Sequence, residues 1–184
     1  MRKMICTALL SCAVFYSFLT AVQPVAAASK TTTVAVVLLG SLEFQNPAYY
    51  EITTESLRQK FPTSKYTLLV GDYPLEMFNR FSDKQGLVPG ENPSEAKMIK
   101  FAWLHSFDEV LFILLSTPSL KSSEFTYQWE KSEATITAHV LRFEARTKKK
   151  LSDSSTTQTD QTVGRSEAKM AAFRKCLDAL VGRL

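Results

Sequence analysis

The sequence predicts an α/β domain with a mixed sheet in two or three layers. Its first three strands are expected to be parallel, with crossover helices, and to be followed by antiparallel hairpin strands and a C-terminal amphipathic helix. Three observations indicate this class. The apolar runs 33–39 and 108–115 lack a polar face, as in strands covered on both sides. Apolar and polar residues alternate with period two across 125–145, which is typical of hairpins with one solvent-exposed face. Residues 166–184 carry one apolar stripe at helical spacing.

The N-terminal segment has the three parts of a cleavable secretory signal peptide. Arg2 and Lys3 give a positive start, an apolar stretch follows, and small residues lead up to Ala28. We therefore expect residues 1–28 to be removed, with the cut after Ala28 or one residue earlier. The mature chain would be a single α/β domain, 29–184, located outside the cytoplasm, in the periplasm or secreted.

Two alternatives to cleavage stay open from the residues alone. The segment is nearly long enough to be retained as a membrane anchor, although Pro24 and the alanine run favour processing. Cys12 lies in a loose match to a lipidation box, but the apolar run continues past it to Leu19, where a lipoprotein would already be polar. We expect no stable membrane insertion after cleavage.

Composition narrows the function classes. Because Arg2 and Lys3 leave with the leader, the formal net charge falls by two from +4, so basicity gives no argument for nucleic-acid binding. Cys176 is the one cysteine of the expected mature chain, which excludes an internal disulfide. The Asn-Pro-Ser at Asn92 is blocked as a glycosylation acceptor by its proline. Both absences favour a bacterial envelope over a eukaryotic secretory pathway.

The first part of the mature chain reads as strand, helix, strand, helix, helix, strand. The first strand ends at Gly40, Pro62 ends the first helix, and Gly71 closes the second strand. Right-handed crossovers would make the three strands parallel, with helices packed over them. The expected bounds, in order, are 33–39, 47–61, 66–70, 74–85, 92–105 and 108–115.

The third helix has the clearest start signal. Asn92 is expected at the N-cap, with Pro93 at the first helical position and Glu95 two residues later. The expected buried face consists of Ala96, Ile99, Ala102 and Trp103.

After Pro118 the pattern changes to alternating strands. The apolar phase flips at Leu141, which indicates a bulge or a bend. Residues 146–150 form the expected turn and 154–163 the returning strand. The terminal helix, 166–184, then covers an open face of the sheet. Its expected stripe is Met170, Phe173, Leu177, Leu180, Val181 and Leu184.

This order of elements resembles a group of bacterial envelope domains: the TolB amino-terminal domain, CsgG and LpoB. The matching segments are 34–37, 66–70, 108–115, 135–145 and 166–184. Where that group often has an Asp-x-x-Thr-Gly turn, residues 144–148 read Glu-Ala-Arg-Thr-Lys. The resemblance implies a non-enzymatic module that docks on other envelope components, and it carries over no catalytic residue.

The residues predict no catalytic, cofactor or metal site. His105, His139 and Cys176 are not at helix-face spacing, so structural roles are expected for all three, Cys176 as a small buried thiol. The glycines stand singly at element ends, which excludes a phosphate-binding loop. Lysines 148–150 read as a soluble turn, with anionic lipid or polysaccharide contact as the alternative. The acidic pairs Glu91/Glu95 and Asp153/Asp160 are expected on solvated surface.

Aromatic residues are the feature that leaves most room for binding. Most of them are expected to build a secondary core, and the remainder would mark a partner or ligand surface. The set is Tyr49, Tyr50, Tyr73, Phe78, Phe81, Tyr127 and Trp129.

The hypothesis that follows is a non-catalytic periplasmic or cell-surface protein whose partner is another envelope protein. A small-molecule or glycan binder that uses the loops in 71–90 is the alternative, and a hydrolase using unassigned carboxylates is third. A concave pocket with convergent polar groups would favour the binder, and a flat apolar patch would favour the protein-contact hypothesis.

Overall fold

A six-stranded mixed sheet organises the chain in the computed structural model, which describes residues 31–88, 91–123 and 131–184. The strand order is β2-β1-β3-β5-β6. β3 and β4 pair with successive parts of one edge of β5, and β6 pairs with the opposite edge. The strands are β1 (Thr32–Leu39), β2 (Tyr66–Leu69), β3 (Glu109–Leu115), β4 (Ser119–Ser123), β5 (Lys131–Glu144) and β6 (Lys149–Val163).

The predicted fold class is confirmed. β1 pairs in parallel with both β2 and β3, and the later strands extend the sheet antiparallel. The helices are α1 (Pro47–Arg58), α2 (Asp72–Lys84), α3 (Glu95–Leu104) and α4 (Arg165–Val181). Within the described residues, no helix is long and apolar enough to cross a membrane.

The two faces of the sheet are covered by different helices. Even-numbered residues of β1, such as Val36, pack against α1 and α4, on what we call the α1/α4 face. Odd-numbered residues, such as Val37, pack against α2 and α3, on the α2/α3 face. The fold is therefore three-layered around β1 and β3. This explains why those strands read as continuous apolar runs.

Strand β5 accounts for the flip of apolar phase. Its even residues up to Val140 are buried on the α1/α4 face, whereas Leu141 and Phe143 are buried on the α2/α3 face. A bulge does exist, since the register with β6 shifts between Arg142 and Phe143 and leaves Leu151 as the extra residue. The flip itself follows from the change of covering helix, because ordinary alternation already places Val140 and Leu141 on opposite faces.

The prediction for α3 was wrong in its cap and right for only half of its face. Ala102 is buried and Ile99 is partly buried, as predicted, but Ala96 is exposed. Ser94 occupies the N-cap, two residues after Asn92, and its carbonyl accepts from the amide of Met98. Met98, Phe101 and Ala102 are buried, whereas Trp103 is 53% exposed. Apolar residues lie all round this helix, so its spacing fits more than one stripe.

Other element bounds also differ from the prediction. β6 begins at Lys149, inside the predicted turn 146–150 and five residues before the predicted start of the returning strand. α1 ends at Arg58, and the amides of Lys60 and Phe61 both bond the carbonyl of Leu57, which leaves Phe61 buried beyond the helix end. The alternating aromatics 125–129 lie outside the described residues.

The polar side of α4 is tied to its neighbours. Its predicted apolar stripe is confirmed, with Met170 and Leu184 only partly buried. The charged side chains opposite that stripe make ion pairs and a hydrogen bond to α1, β6 and the turn after β1. These are Lys169–Glu43, Arg174–Glu55 at 2.9 Å, Lys175–Asp160 at 2.7 Å and Asp178–Ser56 at 2.9 Å.

Arg142 links four parts of the fold. Its Nε donates to Glu109 on β3 at 2.8 Å, and its Nη1 donates to the carbonyl of Leu184 at 3.0 Å. The guanidinium also lies 5.0 Å from the ring centre of Phe61. Both charged groups of the ion pair are largely buried, so losing either would leave the other without compensation.

Gly40 ends β1 in a conformation that side chains disfavour, which allows a direct test. With φ at +138°, a Cβ built there would lie 2.5 Å from the carbonyl oxygen of Leu115. We expect Gly40→Ala to lower the free energy of unfolding by about 2–4 kcal/mol, from backbone strain and overpacking together. Urea denaturation followed by circular dichroism measures it.

Gly182→Ala is the matched control for this substitution. Gly182 has a helical φ of −65°, and an added Cβ would meet nothing within 4 Å. We expect this variant to be neutral or to gain up to about 1 kcal/mol. Equal destabilisation by the two substitutions would contradict the geometry at Gly40.

Candidate binding cleft at the end of the first strand

A cleft of about 520 Å³ opens at the carboxyl end of β1. In open α/β sheets, ligands commonly bind beyond the carboxyl ends of the parallel strands. The turn after β1 forms one wall, and α2 with the segment after it forms the other. The lining residues are Leu39, Gly40, Leu42, Gln45, Phe78, Asn79, Ser82, Asp83, Val88, Glu91 and Asn92.

The first wall is a short 3₁₀ turn, Leu42–Phe44, held at both ends. The amide of Phe44 donates to the carbonyl of Ser41 at 3.0 Å, and the Phe44 ring is buried in the α1/α4 core. Asn46 donates from Nδ2 to the carbonyl of Glu43 at 2.6 Å and accepts the first free amide of α1. This fixed turn leaves Leu42 80% exposed beside the cleft.

The second wall is fixed by the way α2 ends. Gly86 has a φ of +61°, its amide donates to Asp83, and the amide of Leu87 donates to Ser82. These two hydrogen bonds form the Schellman motif, which favours glycine at position 86. It directs the chain so that the next side chain, Val88, is 61% exposed at the rim.

The described charged side chains that line the cleft are both acidic. Asp83 and Glu91 are the charged side chains among its lining residues within the described chain, and both are exposed. Buried Phe78 contributes to the apolar floor, and Gln45 and Ser82 are half-buried. A cationic or neutral group is therefore favoured next to the apolar rim, and an anionic group is disfavoured.

The aromatic residues mostly build the core. Tyr49, Phe78 and Phe81 are buried and Tyr50 is half-buried, whereas Tyr73 is exposed on α2. Tyr127 and Trp129 lie outside the described residues. Sequence reasoning instead missed the rim residues Leu42 and Val88, because single apolar residues in loops give no periodic signal.

Both histidines, for which structural roles are predicted, have hydrogen-bond partners. His105 Nδ1 lies 3.0 Å from the carbonyl of Phe101, at the end of α3. His139 Nε2 lies 2.6 Å from Asp153, which also pairs with Lys150 at 2.8 Å. These contacts lower the pKa of Asp153, with the hydrogen bond from His139 as the largest cause. No group of three or more metal-ligating side chains exists in the described part of the chain.

Several predicted surface charges are therefore paired. Lys150 also bonds Glu95 at 2.9 Å, and its pKa is raised by Asp153 and then by Glu95. Lys148 Nζ lies 4.1 Å from the ring centre of Trp103, a cation–π contact that helps order the turn.

No family model matches the chain. No curated protein matches it either.

Several solved structures are similar in fold. A hypothetical protein of Chlamydia trachomatis aligns at 13% identity over 84% of this chain and 98% of its own, with a TM-score of 0.42. A lipoprotein of Neisseria meningitidis aligns at 14% identity over 82% and 96%, with a TM-score of 0.39. The LpoB C-terminal domain of Escherichia coli aligns at 15% identity over 78% and 92%, with a TM-score of 0.33. These likenesses concern fold alone. LpoB-like domains, to which the sequence predicted a resemblance, are thus among these weak structural likenesses.

Cys176 provides a test of the buried thiol. It is fully buried on α4, its Sγ donates to the carbonyl of Ile136 at 3.3 Å, and burial raises its pKa to about 11. In a full-length chain carrying Cys6→Ser and Cys12→Ser, we expect no reaction with Ellman's reagent at pH 8, and complete reaction in urea.

Ser64→Cys in the same background is the positive control, because position 64 is exposed and lies outside every strand and helix. It should react at once with one equivalent of reagent. Rapid labelling of Cys176 itself in the folded protein would show that the thiol is accessible.

Proposed function

We propose that the mature domain, 29–184, is a non-catalytic protein of the bacterial periplasm or cell surface that binds another envelope protein at the cleft beside Leu42 and Val88. The observation that carries this proposal is the exposure of Leu42 on a turn whose backbone is fixed at both ends. Burying an apolar side chain that is already held in place adds affinity without the cost of ordering a loop.

The sign of the charge specifies the partner segment. Asp83 and Glu91 border the apolar rim, so the segment that fits carries Lys or Arg next to apolar residues. An acidic segment would be repelled by both carboxylates. Because both carboxylates are exposed, their attraction should weaken as salt is added.

Small-molecule or glycan binding at the same cleft is the second candidate. Its volume, about 520 Å³, falls in the range of ligand pockets, which supports this alternative. Against it, four of the six polar lining side chains are exposed, namely Asn79, Asp83, Glu91 and Asn92, and only Gln45 and Ser82 are half-buried. A small ligand would therefore gain few desolvated hydrogen bonds, whereas a protein segment also covers the rim.

The titratable groups support a non-catalytic role. The Arg142–Glu109 pair joins two strands, and the thiol of Cys176 has a raised pKa away from the cleft. Asp153 is paired with His139 on the open strand surface. Each of these groups has a structural partner that accounts for its position.

The proposed location is tested by the fate of the leader. Expressed in a bacterial host, the full-length chain should yield a periplasmic protein whose intact mass begins at Ser29. Ala28→Phe should block cleavage, because the site needs small residues, while Val25→Leu should be processed normally. A membrane-bound product of full mass, or a lipidated one released by Cys12→Ser, would contradict cleavage.

The cleft is tested with synthetic decapeptides of equal length in which leucine alternates with lysine, serine or glutamate. We expect fluorescence anisotropy to show the strongest binding for the lysine peptide, weakening with salt. Leu42→Ser should lower that affinity roughly 10–100-fold, the equivalent of one buried leucine. Asp83→Asn with Glu91→Gln should remove most of the salt dependence.

Two controls separate the cleft from general surface effects. Leu104→Ser removes an exposed leucine outside the cleft, and Glu76→Gln removes an exposed carboxylate on α2 outside the cleft. Both should bind like the unmodified chain. Equal binding by Leu42→Ser would overturn the proposal. Stabilisation by neutral oligosaccharides alone would move the function to the second candidate.

A further inference from the structure

Strand β6 presents a long open edge. It spans 15 residues, more than twice the mean strand length of about 5–6 residues. It pairs with β5 along one side, and the described part of the chain places no strand on its other side. Such an edge is a template for pairing with another strand.

The usual protections of an edge strand are missing from most of β6. Residues 152–163 contain no proline, lysine or arginine, and their charged residues are Asp153 and Asp160. The bulge at Leu151 lies near the start of the strand, before this segment. One long contact reaches the main chain from beyond α4, where Arg183 donates to the carbonyl of Ser155 at 3.4 Å. Proteins that avoid edge pairing normally place charges, prolines or bulges along the edge.

We propose that β6 pairs antiparallel with β6 of a second copy of this chain, about a two-fold axis at Thr157. The two sheets would then form one continuous sheet across the dimer. An isologous contact of this kind uses the same surface on both copies, as a two-fold axis requires.

Side-chain parity supports self-pairing. Opposed residues on antiparallel strands share a face, so Asp153 and Asp160, which lie on different faces, cannot stand directly opposite each other. In the register centred on Thr157, Asp153 of one copy faces Gln161 of the other, and Asp160 faces Ser154. No like charges are opposed along the paired segment.

The same register covers the exposed apolar residues of the strand. Leu151 and Val163 are 40% and 45% exposed, and they lie six residues on either side of Thr157. Self-pairing about that residue brings Leu151 of each copy, at the bulge, next to Val163 of the other. Two such apolar contacts form, one at each end of the interface. This match selects a second copy over an unrelated strand.

Cysteine cross-linking tests the register. In full-length protein carrying Cys6→Ser and Cys12→Ser, Thr157→Cys should form a disulfide-linked dimer, because directly opposed Cα atoms lie about 4.5–5.5 Å apart. Ser155→Cys and Thr159→Cys should not cross-link alone but should cross-link when mixed. Buried Cys176 gives no background. Absence of all these cross-links under mild oxidation overturns the proposal.

A matched pair of double variants tests the edge itself. Thr157 and Thr159 on β6 each share a 2.8 Å hydroxyl contact with Thr137 and Thr135 on β5. Thr157→Lys with Thr159→Lys should turn the dimer seen by sedimentation equilibrium into a monomer. Thr135→Lys with Thr137→Lys loses the same two hydroxyl contacts away from the edge and should leave the dimer intact. A monomeric unmodified chain at millimolar concentration, or equal behaviour of both variants, overturns the proposal.

Discussion

The hydrogen-bonded ladder along β5 is the constraint on which the other elements depend. One edge of this strand pairs with β3 and then with β4, and the other edge pairs with β6 along its whole length. It therefore joins the parallel half of the sheet to the antiparallel half. Because α4 covers one face and α3 the other, a single regular strand buries even residues at one end and odd residues at the other.

Much of the fold was predictable because its signals are local. The runs 33–39 and 108–115, the stripe on the terminal helix and the order of elements all follow from apolar periodicity. The face of α3 was not predictable in this way. Its apolar residues surround the helix, and the choice to bury Met98 and Phe101 while exposing Trp103 is made by the sheet beneath.

The candidate cleft depends on contacts that the sequence does not display. Leu42 and Val88 lie 46 positions apart in the chain, and each is exposed because a separate backbone motif fixes it there. Asp83 and Glu91 likewise come together through the end of α2 and the segment after it. The sequence indicates that Gly86 ends a helix, but its role in exposing Val88 follows only from the capping hydrogen bonds.

The spacing of strand partners along the chain affects how the domain is assembled. Val34 of β1 pairs with Glu109 of β3, 75 positions later, whereas β5 and β6 are joined by a four-residue turn. A chain that emerges N-terminus first therefore exposes the apolar strand β1 well before its partner β3 exists. The hairpin closes quickly, but the parallel pairing waits on the closure of a long loop. During synthesis or export, β1 is thus a segment that needs protection from aggregation until β3 pairs with it.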